Sequence, residues 1–261
     1  MLTRVLAAVA GLALLLPSDS SAQTPVDVEL VLAVDVSQSM DLGEHALQRR
    51  GYVQALRHPQ VLSAIRGGVY GRVAITYVEW GSGQAVLAPW SLIEDVESAS
   101  RFAEEIAAPP IRTIRGTSIS GALGFAAGLF RDNGYEGIRK VIDVSGDGPN
   151  SSGPPVVPAR DAILEQGIII NGLPIMLRAP ANTFWSIPDL DIYYADCVIG
   201  GPGAFVLPVD AADQLADAIR QKLVLEIAGV PPRMVPVTAA DRAPRIDCLI
   251  GEKLRQRWYN P

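Results

Sequence analysis

The chain has 261 residues, 49% hydrophobic and 19% charged, enough for one sizeable core with at most a tail beside it. A net charge of -6 with no basic run argues against a nucleic-acid partner. No internal repeat or low-complexity tract points to a fibrous or array-like protein.

The first segment reads as an export signal. Arg4 supplies a positive start, Val5 to Leu16 an apolar stretch broken by Pro17, and Ser20-Ser21-Ala22 small residues suited to cleavage before Gln23. About 12 apolar residues fall short of the roughly 20 that a membrane span needs. We therefore expect residues 1–22 to be removed and the mature protein to be exported, periplasmic or secreted. The only cysteines are Cys197 and Cys248. In an oxidising compartment such a pair points to a disulfide, against two independent buried thiols.

From Thr24 onward the chain alternates strand and helix signals. Val28–Val34 is an apolar strand, Glu44–Arg57 a helix ended by His58-Pro59, and Arg72–Trp80 a second strand. Gln84–Trp90 reads as its hairpin partner, with Pro89 suited to an edge. Helices follow at Ile93–Ala107 and Ser118–Phe130. The second carries Gly121, Gly124 and Gly128, a spacing that suggests close helix–sheet packing. Arg139–Val144 is the next strand, leading into the breaker-rich loop SGDGPNSSGPP. Ala159–Gln166 (helix), Gly167–Ile175 (strand), Pro188–Val198 (short helix) and Gly203–Pro208 (strand) come next. A last helix capped by Asp210 runs to about Ala228. Residues 229–261 form a polar tail expected to lie back on the domain of residues 23–228, and Trp185 is the tryptophan expected to be exposed. This order predicts an α/β, doubly wound, mostly parallel sheet with helices on both faces and one antiparallel edge strand.

In such sheets ligands bind at the carboxyl ends of the strands, where the strand order reverses. Three oxygen-bearing segments fall on that edge. Asp35, Ser37 and Ser39 follow the first strand (LVLAVDVSQSM), Thr117 precedes a helix (RGTSISGAL), and Asp147 follows a central strand (VIDVSGDGPN). Two carboxylates and three hydroxyls, with no histidine or cysteine, suit a hard divalent cation rather than zinc or copper. Solvated loop acids, helix caps at Ser37 and Ser39, and a Thr117 N-cap are the simpler alternatives. Asp143, a carboxylate inside an apolar strand, needs a polar partner and is a candidate accessory to the site.

The order Asp-x-Ser-x-Ser, Thr, Asp-Gly, carried by Asp35, Ser37, Ser39, Thr117, Asp147 and Gly148, resembles a von Willebrand factor A (vWA) domain with a metal-ion-dependent adhesion site, or MIDAS. The likeness covers about residues 26–228. The stretches VIDVSGDGPNSSGPP and INGLPI…VIGGPGAFV are similar to an exported bacterial vWA family of undefined function. The resemblance implies a Rossmann-like fold and direct metal contact by Ser37, Ser39 and Thr117, with Asp35 and Asp147 often acting through water. The expected ion is Mg2+, with Mn2+ or Ca2+ as alternatives. The expected partner is a protein that offers an Asp or Glu to the metal.

His45 and His58 lie in no nucleophile motif, and there is no G-x-S-x-G elbow. We therefore expect no enzyme. Two further readings stay open: a metal-dependent hydrolase at the same edge, and a structural component whose metal stabilises the fold.

Overall fold

A computed structural model describes residues 23–177, 186–229 and 245–259. The expected leader, Trp185 and residues 230–244 of the tail lie outside them. Five strands form one sheet: β1 (Thr24–Asp35), β2 (Val73–Trp80), β3 (Gln84–Ile93), β4 (Tyr135–Gly146) and β5 (Ile168–Pro174). Their order is β3-β2-β1-β4-β5. β1 runs parallel to both β2 and β4, β4 runs parallel to β5, and β3 is the antiparallel edge.

The helices are α1 (Leu42–Leu56), α2 (Pro59–Arg66), α3 (Val96–Ala107), α4 (Ile119–Gly128), α5 (Val156–Leu164), α6 (Leu190–Tyr193), α7 (Leu215–Ala228) and α8 (Ile250–Tyr259). Two cores follow from the two-residue period of the strands. In β1, Val28, Leu30, Leu32 and Val34 join Tyr52 of α1, Phe102 of α3 and Leu223 of α7 in one core. Val31 and Ala33 join Leu123 of α4, Ile163 of α5 and Tyr193 of α6 in the other. Leu30–Val34 of β1 reads as an unbroken apolar run because it serves both.

The structure departs from the sequence expectations at several points. His58-Pro59 does not simply stop a helix: His58 caps α2 through its side chain, with Pro59 in the first turn. Gly203–Pro208 is no strand. The chain there touches β5 through single bridges, Gly172 to Val206 and Ile175 to Val209, because left-handed Gly201 and Gly203 and the prolines at 202 and 208 break up a ladder. Asp210 does not cap α7. A 3-10 turn at Ala212–Gln214 intervenes, and Gln214 occupies the cap position without a side-chain bond. Of the α4 glycines, Gly121 lies close to the sheet, where a Cβ would come 2.8 Å from Gln84 Nε2 of β3, whereas a Cβ on Gly124 would meet open space. It is Ala122 and Ala126 that pack in the core.

Beyond α6 a π-turn covers Tyr194–Val198. Cys197 in that turn is disulfide-bonded to Cys248, 51 residues on, as the cysteine count suggested. The tail carries the unforeseen helix α8, of which Ile250 and Leu254 pack on the second core.

Candidate metal centre

The sheet order reverses around β1, and β1 and β4 end side by side, Val34 opposite Ser145. Asp35 is the last residue of β1 and is fully buried. Its Oδ1 accepts the Ser37 N–H at 2.6 Å, which folds the chain into a tight turn. Two α1 side chains fix that turn from behind. Gln48 donates its Nε2–H to the Asp35 carbonyl at 2.9 Å and accepts from Ser145 Oγ at 2.9 Å, linking β1 and β4. His45 lies with Nε2 3.1 Å from the Ser37 carbonyl. A carbonyl only accepts, so Nε2 carries the proton, and burial lowers the ring's pKa. α1 itself starts at a reciprocal Asp41–Glu44 capping box just past the motif.

From this turn a chain of short contacts runs outward. Ser37 Oγ and Ser39 Oγ are 2.8 Å apart, and Ser39 Oγ donates to Asp147 Oδ1 at 2.5 Å. Asp147 directly follows β4, so the first and third motif segments meet. The middle segment is tied to both. Ile114 N–H donates to the Val36 carbonyl at 2.8 Å, forming a bridge beside Ser37, and the Thr117 carbonyl accepts the Ser151 and Ser152 N–H groups at 3.0 Å each. Ser118, not Thr117, caps α4, through a 3.2 Å bond to Gly121 N–H. That leaves the Thr117 hydroxyl without a capping duty.

Two oxygens at this edge are conspicuous. Asp35 Oδ2 and Thr117 Oγ1 are buried and find no hydrogen-bond partner among the described residues. A buried polar atom so placed costs about 1–3 kcal/mol. Burial first, and the charge of Asp147 second, push the Asp35 carboxyl well above its usual range. A divalent cation would answer both the unpaired oxygens and the repulsion between the acids. No three His, Cys, Asp or Glu side chains cluster as a metal site among the described residues, so any metal here depends on hydroxyls. A set made only of oxygens fits a hard ion. Gly146 keeps the space open: a Cβ there would lie 2.8 Å from Asp35 Oδ2 and 2.9 Å from Tyr194 Oη. Tyr194 is buried, its hydroxyl likewise unpartnered, and its pKa is pushed well up by burial and then by Asp35.

Asp143 has different partners from those expected of an accessory ligand. It pairs with Lys222 Nζ at 2.6 Å and accepts from Tyr52 Oη at 3.3 Å. Lys222 also binds Glu226, whose Oε1 accepts from Asn171 Nδ2 at 3.0 Å. Asp143 is thus part of a buried charge network between β4, β5, α1 and α7. Sequence reasoning missed Gln48, His45 and Tyr194. Gln48 and His45 lie on one face of a helix whose first-turn signals were visible, but nothing local announces which turn they fasten.

Residues 25–231 match the family described as "Protein of unknown function (DUF1194)". The chain belongs to this family. No curated protein sequence matches the DUF1194 chain. Among solved structures it is similar to proximal thread matrix protein 1 of the mussel byssus, "with zinc occupied MIDAS motif", at 15% identity and a TM-score of 0.59, covering 79% of this chain and 49% of that one. It is also similar to a von Willebrand factor type A protein from Catenulispora acidiphila (17%, 0.54, 77% and 43%) and to the pilus adhesin SpaC from Lactobacillus rhamnosus GG (13%, 0.58, 77% and 31%). The DUF1194 chain spans half or less of the length of each. The likeness shows the fold: a vWA domain, with the mostly parallel sheet and single antiparallel strand described above.

Proposed function

We propose that this DUF1194 chain is a non-enzymatic, metal-dependent protein-interaction module, exported after loss of residues 1–22. Ser37, Ser39 and Thr117 would hold the ion, with Asp35 and Asp147 neutralising it from behind. When bound, the ion supplies an electrophilic, positively charged acceptor for a partner's Asp or Glu. Magnesium is the ion best matched to a compact set of hydroxyls and carboxylates that keeps its waters.

The observation that carries this reading is the pair of buried, unpartnered oxygens, Asp35 Oδ2 and Thr117 Oγ1, beside the chain Ser37–Ser39–Asp147. Catalysis finds less support. The serine hydroxyls are engaged with each other and with a carboxylate, and His45, the histidine nearest the site, is spent on a backbone carbonyl. The printed descriptions of the structural neighbours, an adhesin and a byssal matrix protein with an occupied MIDAS, are compatible with an interaction role. Export agrees with the disulfide.

The test is capture from the exported fraction of the source cells on immobilised chain, in Mg2+ and in EDTA, with Asp35→Ala in parallel. A partner retained only by wild type in Mg2+ is expected. Equal retention in EDTA and by Asp35→Ala would overturn the reading.

A further inference from the structure

The structure places a helix from outside the sheet directly against the loop that carries Asp147. We infer that α8 is a positioning strut for the metal centre, fastened by the Cys197–Cys248 disulfide. This inference rests on the metal reading above and adds a control element to it.

The contacts converge on one short segment. Asn150, three residues after Asp147, donates through Nδ2 to Glu252 Oε1 at 2.7 Å and to the Pro154 carbonyl at 3.0 Å. Its Oδ1 accepts the Ser120 N–H at 3.1 Å, and its own N–H donates to Tyr193 Oη at 3.1 Å. Arg255 Nη1 donates to the Ser151 carbonyl at 2.9 Å. Ser151 in turn donates its N–H to the Thr117 carbonyl. Two α8 side chains therefore reach, within one further bond, the segments bearing both Asp147 and Thr117.

The backbone of α8 rests on this loop as well. Gly251 is buried, and a Cβ there would overlap the Asn150 carbonyl oxygen and sit 3.1 Å from Pro149 Cγ. Only glycine permits so close an approach. The polar bonds are directional, so they set where the loop lies as well as that it is covered.

The strut has little to hold it besides its fastening. α8 has ten residues and exposes most of its length. Helices shorter than about 12–15 residues are marginal alone. Ile250 and Leu254 supply its apolar contact. The disulfide sits two residues before α8 and joins it to the π-turn that contains Tyr194, whose hydroxyl faces Gly146 and Asp35. Arg245 reinforces the junction through a 2.8 Å ion pair with Asp196. One end of the fastening thus lies behind the metal site and the other carries the helix that grips its loop. Opening it needs a dithiol reductant: two electrons pass to the S–S bond, both cysteines become thiols, and the reductant leaves as a disulfide.

The experiment is calorimetric titration of Mn2+ into the oxidised chain and the same chain reduced by a dithiol. Four variants with the disulfide intact run beside them: Gly251→Val, Glu252→Ala, Glu252→Gln and Asp35→Ala. Removing outer support from a metal site costs about 10–100-fold in affinity. We expect a loss of that size on reduction, in Gly251→Val and in Glu252→Ala, at unchanged far-UV circular dichroism. Glu252→Gln keeps an oxygen acceptor for Asn150 and should bind as wild type does. Wild-type affinity in the reduced chain, or in Glu252→Ala, would overturn the strut while leaving the metal reading intact. Absence of Mn2+ binding by the oxidised wild type, or undiminished binding by Asp35→Ala, would overturn the metal reading itself.

Discussion

Lys222 is fully buried, and its ammonium meets Asp143 at 2.6 Å, Glu226, and the face of Phe205 at 5.6 Å. Removing one member of a buried ion pair leaves the others uncompensated and costs about 3–5 kcal/mol. Lys222→Ala should lower stability by that amount in urea unfolding. Burial raises the pKa of Asp143 too, and Glu226 adds its own pH dependence to the network. Burial first, and the Asp143 charge second, push its pKa from 4.5 up to about 7, against the pull of Lys222. The folded chain then holds a proton that the unfolded chain releases near 4.5, so protonation favours folding. This stabilisation is full below about 4.5 and fades as the pH rises to about 7. Glu226→Gln keeps the Asn171 donor supplied with an oxygen and should flatten that decline, as read from urea midpoints across the interval. Single residues were the least legible scale in the sequence. The apolar strand around Asp143 showed that a polar partner was needed, but the partner, Lys222, lies on α7, 79 positions away in an ordinary amphipathic pattern. The five motif residues were legible because their spacing is local within each segment and each segment ends a strand or opens a helix.

At the scale of elements, α1 and α7 pack backbone to side chain. A Cβ on Gly51 would lie 2.6 Å from Ile219 Cδ1 and 3.6 Å from Ala216 Cα. Overpacking of this kind costs about 1–3 kcal/mol, and a domain of this size loses roughly 2–4 °C per kcal/mol. Gly51→Val should therefore unfold several degrees below wild type in a thermal scan, and an unchanged midpoint would show that the two helices part without cost. The central strands were legible for the reason Leu30–Val34 of β1 illustrates: a stretch feeding two cores is apolar at every position. α8 was not. Its sequence, IGEKLRQRWY, offers few apolar positions, since it docks through a glycine and polar bonds rather than a wide hydrophobic stripe. Gly203–Pro208 suggested a last strand, and the glycines and prolines in and around it reduced the pairing there to single bridges.

For the whole molecule, topology turns separate sequence fragments into one site. β1 lies between β2 and β4, so the order reverses at its carboxyl end, where Asp35 and Asp147 emerge and the Ile114 bridge brings Thr117 alongside. The Cys197–Cys248 disulfide then fastens α8 where it covers the loop. Anything that binds only the folded state stabilises it by mass action, about 2.7 kcal/mol at a hundredfold excess over Kd. Saturating Mg2+ should therefore raise the unfolding temperature of the EDTA-treated chain by roughly 5–10 °C. Calorimetric titration of Mg2+ into the EDTA-treated chain and into Thr117→Val isolates the buried hydroxyl that finds no hydrogen-bond partner among the described residues. A single saturable site in wild type, weakened at least tenfold or lost in Thr117→Val at unchanged circular dichroism, is the predicted result. Equal affinity in the two chains, or no binding by either, would contradict the account.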